Sequence, residues 1–463
     1  MDRLLINVYL LAVCLLLVFK LIVVDNPSLD LVVIVSFVVL SLVTIGYCIF
    51  GGISKAIYLV VSVICFEPII AFLVPEIGKS FVAYFSVLSC GILFLRNREA
   101  SLISFVLFLI AAIAFGHFLA HAFNRSEGFD LLFQEAYRAD LVRGCKYLGG
   151  AFLLSTVTKW RPSKNEFFRT IKVSAQILSF GIVCSLVYVV QEGGSLDLKD
   201  LIGSRLHSVG GQGANTFSLN VLLALFCIIA VVVRKGLNPW WLGSMLLCLF
   251  AVVFSKSRAQ MLAFIIFLPF VSGAIKGNLA AGLRNYFFIY TVLGLAIVIV
   301  GFFGAAEFLE FEDRDVTELT GRTEIWAISF SVIMENLIFG VSDIYFNNYL
   351  ASYDLAKYGE GDLTPHNPFM NIFVFSGVIA GAIFIVAHAF VISRIIKKWR
   401  HVDRSHKIVL LTCAFVIVAH QSIDIWYSLY FWFLSWAMVE YKKSWTFVKY
   451  KKSENLRIGY IHY

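Results

Sequence analysis

The sequence predicts an all-α, polytopic integral membrane protein of about 14 transmembrane helices (12–14) with one large loop on the outer side. Three observations carry that fold class. First, 60% of the 463 residues are hydrophobic and 15% charged, with a mean hydropathy of +0.84, whereas soluble domains hold roughly 45–50% apolar and 25% charged residues. Second, the apolar residues recur in blocks of about 15–25, the length needed to cross a bilayer core as a helix. Third, those blocks sort the cations by side. This composition excludes an ordinary soluble enzyme.

The first block, residues 4–24, follows Asp2 and Arg3 and lacks a small-residue cleavage site, so it is expected to be a retained helix and not a signal peptide. Further spans are expected at 30–50, 56–77, 81–95, 101–123, 145–158 and 173–190. The series continues at 216–233, 240–254, 259–275 and 285–305, and closes with 368–392, 408–423 and 425–441. The 408–441 block is divided in two because a single tilted span would carry Lys442, Lys443, Lys449, Lys451 and Lys452 outside. With the N-terminus inside, the inside segments hold 25 of the 38 Lys and Arg residues and the outside segments 11. That bias places both termini in the cytoplasm and makes the net charge of +8 a matter of topology, with no nucleic-acid partner. The chain therefore divides into 1–305 (helices 1–11 with short loops), 306–367 (a large acidic outer loop), 368–441 (C-terminal helices) and 442–463 (a basic cytoplasmic tail).

The connections narrow the chemistry. Residues 124–144 carry mixed charge and 191–215 are polar and Gly-rich, while 306–367 is too long for a simple connection. This last loop holds twelve acids and three bases, Arg314, Arg322 and Lys357. Within it, Ile325, Ile328 and Val332 fall at helical spacing, which predicts an amphipathic helix over Thr323–Phe339 lying on the membrane surface. The cytoplasmic segments 159–172 and 393–407 are too short for a nucleotide fold, and no GxxxxGK loop occurs, which excludes an ATP-driven pump acting alone. All nine cysteines lie in or next to spans and none forms a CxxC pair, so neither a disulfide scaffold nor a thiolate metal site is expected. No cofactor is expected.

Four clusters fall on the outer side. Gly203-Ser204-Arg205-Leu206-His207, continuing to Gly213-Ala214-Asn215, sets Gly-rich backbone before a helix, where N–H groups and the Arg205 fork suit an anion. An unliganded flexible loop would look similar. Ser255-Lys256-Ser257-Arg258 puts cations in a short outer turn, where a basic membrane anchor is the less common use. Gly321-Arg322-Thr323-Glu324-Ile325-Trp326 opens the amphipathic helix, and there Arg322 could instead pair with Glu318 or Glu324. His366-Asn367-Pro368-Phe369-Met370-Asn371 supplies an imidazole that can take a proton near neutral pH, with a structural hydrogen bond as its other use. His117 and His121, four residues apart, are expected to be interfacial, with no third metal ligand beside them.

Three arginines and a histidine on one membrane face suit a lipid-linked diphosphate. Cations clamp the diphosphate, a base takes the acceptor hydroxyl's proton, and the departing diphosphate makes ATP unnecessary. These residues resemble the bacterial O-antigen polymerase and O-antigen ligase superfamily. The resemblance rests on Ser257-Arg258, on Gly321-Arg322-Thr323-Glu324-Ile325-Trp326, and on His366-Asn367 followed after nine residues by Gly377. In the ligase branch that motif ends three positions later on Gly, Thr or Val, whereas this chain has Ala380 and then Gly381.

The resemblance, over roughly residues 200–385, implies an inverting, metal-independent glycosyltransferase of lipopolysaccharide or polysaccharide biosynthesis in the bacterial inner membrane, active toward the periplasm. Carried over, Arg205, Arg258 and Arg322 bind undecaprenyl diphosphate and His366 is the catalytic base, with His207, Asn215, Glu324, Asn367 and Asn371 positioning substrate. The implied partners are an undecaprenyl-diphosphate-linked oligosaccharide, membrane lipid and a chain-length regulator. The expected activity is polymerisation of lipid-linked repeat units. Its rivals are ligation to the lipid A core and, in another class, flipping of a lipid-linked oligosaccharide. Against transport, only Lys20 and Glu67 lie well inside spans, and no internal repeat is seen.

Overall fold

The computed structural model describes residues 27–67, 75–96, 101–124, 135–193, 214–255, 258–276, 322–351, 353, 367–419, 427–441, 446–449 and 458–461. Nine helices occupy its N-terminal part: α1 (Pro27–Phe50), α2 (Ile53–Cys65), α3 (Pro75–Arg96), α4 (Leu102–Asn124), α5 (Glu135–Lys159), α6 (Lys164–Gly193), α7 (Ala214–Lys235), α8 (Pro239–Phe254) and α9 (Arg258–Lys276). Then follow α10 (Arg322–Glu335), α11 (Asp343–Ala351), α12 (Pro368–Trp399), α13 (Arg404–Ala419) and α14 (Tyr427–Ser435). Strands β1 (Thr446–Lys449) and β2 (Ile458–Ile461) pair antiparallel, Thr446 opposite Ile461. The protein is an all-α polytopic membrane protein, with this short hairpin as an addition in the tail. The expected spans 4–24 and 285–305 lie outside the described residues.

Pro27, Pro75, Pro239 and Pro368 each open a helix, where the missing N–H costs nothing and the fixed φ suits the first turn. Among the described residues, Leu102–Ala120, Lys164–Leu186, Phe217–Lys235 and Phe369–Trp399 are long and apolar enough to cross a membrane, and five shorter apolar helices accompany them. The outer surface fits that medium, because Val35, Leu42 and Phe50 of α1, Leu246 of α8 and Ile379, Ile385 and Ile396 of α12 are exposed.

Helix α7 is central. Every residue from Phe217 to Ile228 is buried, enclosed by α6, α8, α9 and α13. Lipid offers no hydrophobic drive between helices, so close approach and shape must hold them together. Helix α5 supplies both. A Cβ on Gly144 would lie 2.8 Å from the Phe115 ring of α4, one on Gly149 would lie 3.0 Å from Ser86 Cβ of α3, and one on Gly150 would enter the Phe431 ring of α14.

Polar contacts collect at the two ends of the bundle. At one, Lys164 meets Asp403 at 3.5 Å, Arg161 and Arg394 share Glu440, and Arg234 donates to Asn165 at 2.9 Å. Lys398 there donates to the carbonyls of Ala437 (2.7 Å) and Val439 (2.9 Å). Arg96 donates to the carbonyls of Cys48 and Gly51. By helix direction, the starts of α5, α7, α9 and α12 therefore share the opposite end.

The structure also moves some boundaries. Helix α5 begins at Glu135, ten residues before the expected span, and its Asp140 and Arg143 find partners in the fold instead of needing water. The 408–441 block holds α13 and the nine-residue α14; His420, Gln421 and Asp424 between them lie outside the described residues.

Candidate functional site

The site is built around a broken helix. At Gly377, α12 adopts φ 80° and ψ 171°, a left-sided conformation that only glycine takes without strain. In an unbroken helix the Val378 N–H would bond the Val374 carbonyl. Here the segment between α10 and α11 enters the gap and takes both groups: Val341 N–H donates to Val374 O at 2.8 Å, and Val378 N–H to Leu337 O at 2.7 Å. Backbone polar groups freed near lipid are thus satisfied again. A Cβ on Gly377 would run into the Ile338 carbonyl, and one on Gly340 (φ 66°) into the Val374 carbonyl. Bare backbone on both sides makes the junction possible.

Side chains close around that junction. Ile328, Val332 and Ile333 of α10, Val341, Phe346 and Leu350 of the α11 segment, and Val374 and Phe375 of α12 form one buried cluster. The stripe expected to lie on the membrane surface therefore faces protein. A different stripe of α10, Trp326, Phe330 and Met334, is exposed and runs on into Leu337, Ile338 and Phe339.

A charged group ties this cap to the bundle. Arg143 of α5 contacts Asp140 at 3.1 Å, pairs with Asp343 at the start of α11, and stacks its guanidinium 3.7 Å from the centroid of the Phe375 ring. The Asp343 N–H reaches Asp140 Oδ1 at 3.4 Å. Burial raises the pKa of Asp140; Arg143 opposes this and the Asp343 carboxylate adds to it. His117 Nε2, at the end of α4, donates to the Phe339 carbonyl at 3.1 Å. This places one of the two expected interfacial histidines on the cap's backbone.

Of the expected site residues, Arg205, His207 and His366 lie outside the described residues. Arg258 and Arg322 are the first residues of α9 and α10, and Asn215 is the second of α7. Glu324 is exposed on α10. Asn367 caps α12, its Oδ1 accepting from the N–H groups of Phe369 (3.0 Å) and Met370 (3.1 Å). Asn371, one turn on, is buried. Helix direction sets the starts of α7, α9 and α12 at one end, and the junction sets α10 there too. Sequence reasoning missed Asp140 and Arg143; the available signal was two opposite charges three residues apart beside an apolar run.

No curated protein matches the chain. Residues 243–385, which run from α8 past the break in α12 and include Arg258, Arg322, His366 and Gly377, match the family model described as O-antigen ligase, a match consistent with the O-antigen polymerase and ligase superfamily.

Proposed function

We propose that the protein is a membrane glycosyltransferase that polymerises lipid-linked repeat units on the periplasmic side of the bacterial inner membrane. The supporting observation is the junction at Gly377. It joins the helix opened by Arg322 to the helix that follows His366 and Asn367, at the end of the bundle where α9 begins with Arg258.

In the proposed step, the terminal hydroxyl of one undecaprenyl-diphosphate-linked unit attacks the anomeric carbon of the glycan on another. The new C–O bond forms as the old bond to the diphosphate breaks, inverting that carbon. The leaving diphosphate keeps the electron pair, and Arg205, Arg258 and Arg322 neutralise it. The hydroxyl proton passes to His366. Free undecaprenyl diphosphate and a longer lipid-linked glycan result, without metal or nucleotide. A chain-length regulator would act beside the enzyme, not in it.

Chain-length analysis of surface polysaccharide tests this. Arg258→Ala and His366→Ala, present in membranes at wild-type level, are expected to abolish long chains while leaving single units. Normal ladders from Arg258→Ala would remove that residue from the site.

Two other activities have an observation in their favour. The family description and the placing of Gly377 after His366-Asn367 suit ligation to the lipid A core. Deletion separates the two: a lost polymerase leaves core capped by one unit, a lost ligase leaves bare core and accumulated lipid-linked polymer. A broken membrane helix also suits a transporter, whose site lies at mid-membrane. Here, however, α12 continues 22 residues beyond the break to Trp399, about 33 Å, long enough to cross a bilayer core by itself, which supports a break at the membrane boundary. In liposomes, bond formation favours transfer and movement alone favours transport.

A further inference from the structure

Helix α10 has three distinct faces. Ile325, Ile328, Ser329, Val332 and Ile333 are buried against protein. At 3.6 residues per turn, Trp326, Phe330 and Met334 form one exposed flank, and Glu324, Ser331 and Glu335 the other. The first flank is apolar and continuous with the exposed Leu337–Phe339 turn, a surface that suits hydrocarbon. The second is polar and suits water.

Tyr345 and Tyr349 of α11 continue into Tyr353, two residues past its end, as one row of tyrosines. Tyr345, Tyr349 and Tyr353 recur every four residues; their centroids are 6.2 Å apart for Tyr345 and Tyr349, with the rings stacked, and 5.7 Å for Tyr349 and Tyr353. Tyr345 is 43% exposed and Tyr353 42%. The Tyr349 hydroxyl donates to Glu335 Oε1 at 3.4 Å, which fixes the row to the polar flank of α10, and Asn348 is exposed beside it. The hydrogen bond with Tyr353, desolvation and the Glu335 carboxylate together push the Tyr349 phenol up to about 12.

Such a row has the chemistry of a sugar platform. A pyranose ring has an apolar C–H face that lies flat on an aromatic ring and a rim of hydroxyls that needs donors and acceptors. Tyrosine offers both in one side chain. Neighbouring rings a few ångströms apart suit neighbouring sugars of one chain, and Glu335 and Asn348 stand at the edge to meet hydroxyls. We propose that Tyr345, Tyr349 and Tyr353 form a platform that stacks successive sugar rings of the glycan, holding the chain on the aqueous side of the cap. The platform names the part of the substrate that this surface takes, and in that it rests on the glycosyl-transfer function proposed above.

The test uses the full chain in lipid nanodiscs and, as probe, the oligosaccharide released by mild acid from the host's lipid-linked intermediates. Saturation-transfer NMR reads binding, and a lipid-linked donor assay reads transfer. Wild type is expected to bind the released glycan; Tyr345→Ala and Tyr353→Ala each bind it about tenfold more weakly, raising KM with kcat little changed. Tyr345→Phe keeps the ring and stays within about threefold, and Phe330→Ala, on the lipid flank, binds as wild type does. Unchanged binding by folded Tyr345→Ala and Tyr353→Ala proteins overturns the platform, as does a wild type that binds no glycan. The transfer function fails separately: a wild type that binds glycan through these tyrosines but forms no glycosidic bond keeps the platform and loses the enzyme.

Discussion

Gly377 shows what a single residue decides in this protein. The spacing from His366-Asn367 marked it in the sequence, but the reason for it is tertiary: the positive φ and the Ile338 carbonyl seated where a Cβ would be. Gly381 has a comparable cause, since its Cβ would lie 2.6 Å from the Phe373 ring. That contact accounts for glycine at this position beside the Ala380 of the motif. Gly377→Ala must adopt a backbone conformation costing about 1–3 kcal/mol and also push the Leu337–Gly340 turn off α12. Loss of transfer with a lowered melting temperature is expected, measured on purified protein. Gly46→Ala, which meets open space in α1, serves as the matched control and should lower neither.

At the scale of elements, hydropathy located most of the helices because each apolar block is its own signal. Two features stayed hidden for physical reasons. The first turns of α5 contain Arg138, Asp140 and Arg143, which read as loop until Asp140 and Arg143 are seen to meet each other and Asp343. The orientation of α10 was also closed to sequence, because its exposed Trp326–Phe330–Met334 stripe is as apolar as the stripe it buries. Arg143 is the residue on which docking of α11 turns, with an ion pair on one side and the Phe375 face on the other. Arg143→Ala leaves the buried Asp140 and the half-buried Asp343 without their cation, a loss of about 3 kcal/mol. Amide exchange over 343–350 should accelerate about a hundredfold, while exchange in α7 stays slow. Lysine should restore little, since it lacks the planar fork that pairs and stacks together. Wild-type protection in Arg143→Ala would show that the apolar cluster alone holds the cap.

For the whole molecule, the charge pattern and the fold bear on the same question from different sides. The sequence bias of 25 cations against 11 assigns each connection to a side. Independently, the contacts of Arg161, Lys164, Arg234, Arg394 and Lys398 collect at one end, and the cap on α12 forms at the other. The two partitions agree for the helices that these contacts join, and they leave one measurable question, which end faces the cytoplasm. A membrane-impermeant maleimide answers that in intact cells. The eight cysteines among the described residues are buried, so labelling at new exposed sites can be read against the parent protein. Asn347→Cys, on the exposed face of α11, should label from outside, and His401→Cys, in the turn between α12 and α13, only after the membrane is permeabilised. The reverse pattern would put the cap in the cytoplasm, where a periplasmic lipid-linked donor cannot reach it, and the proposed activity would fall with the topology.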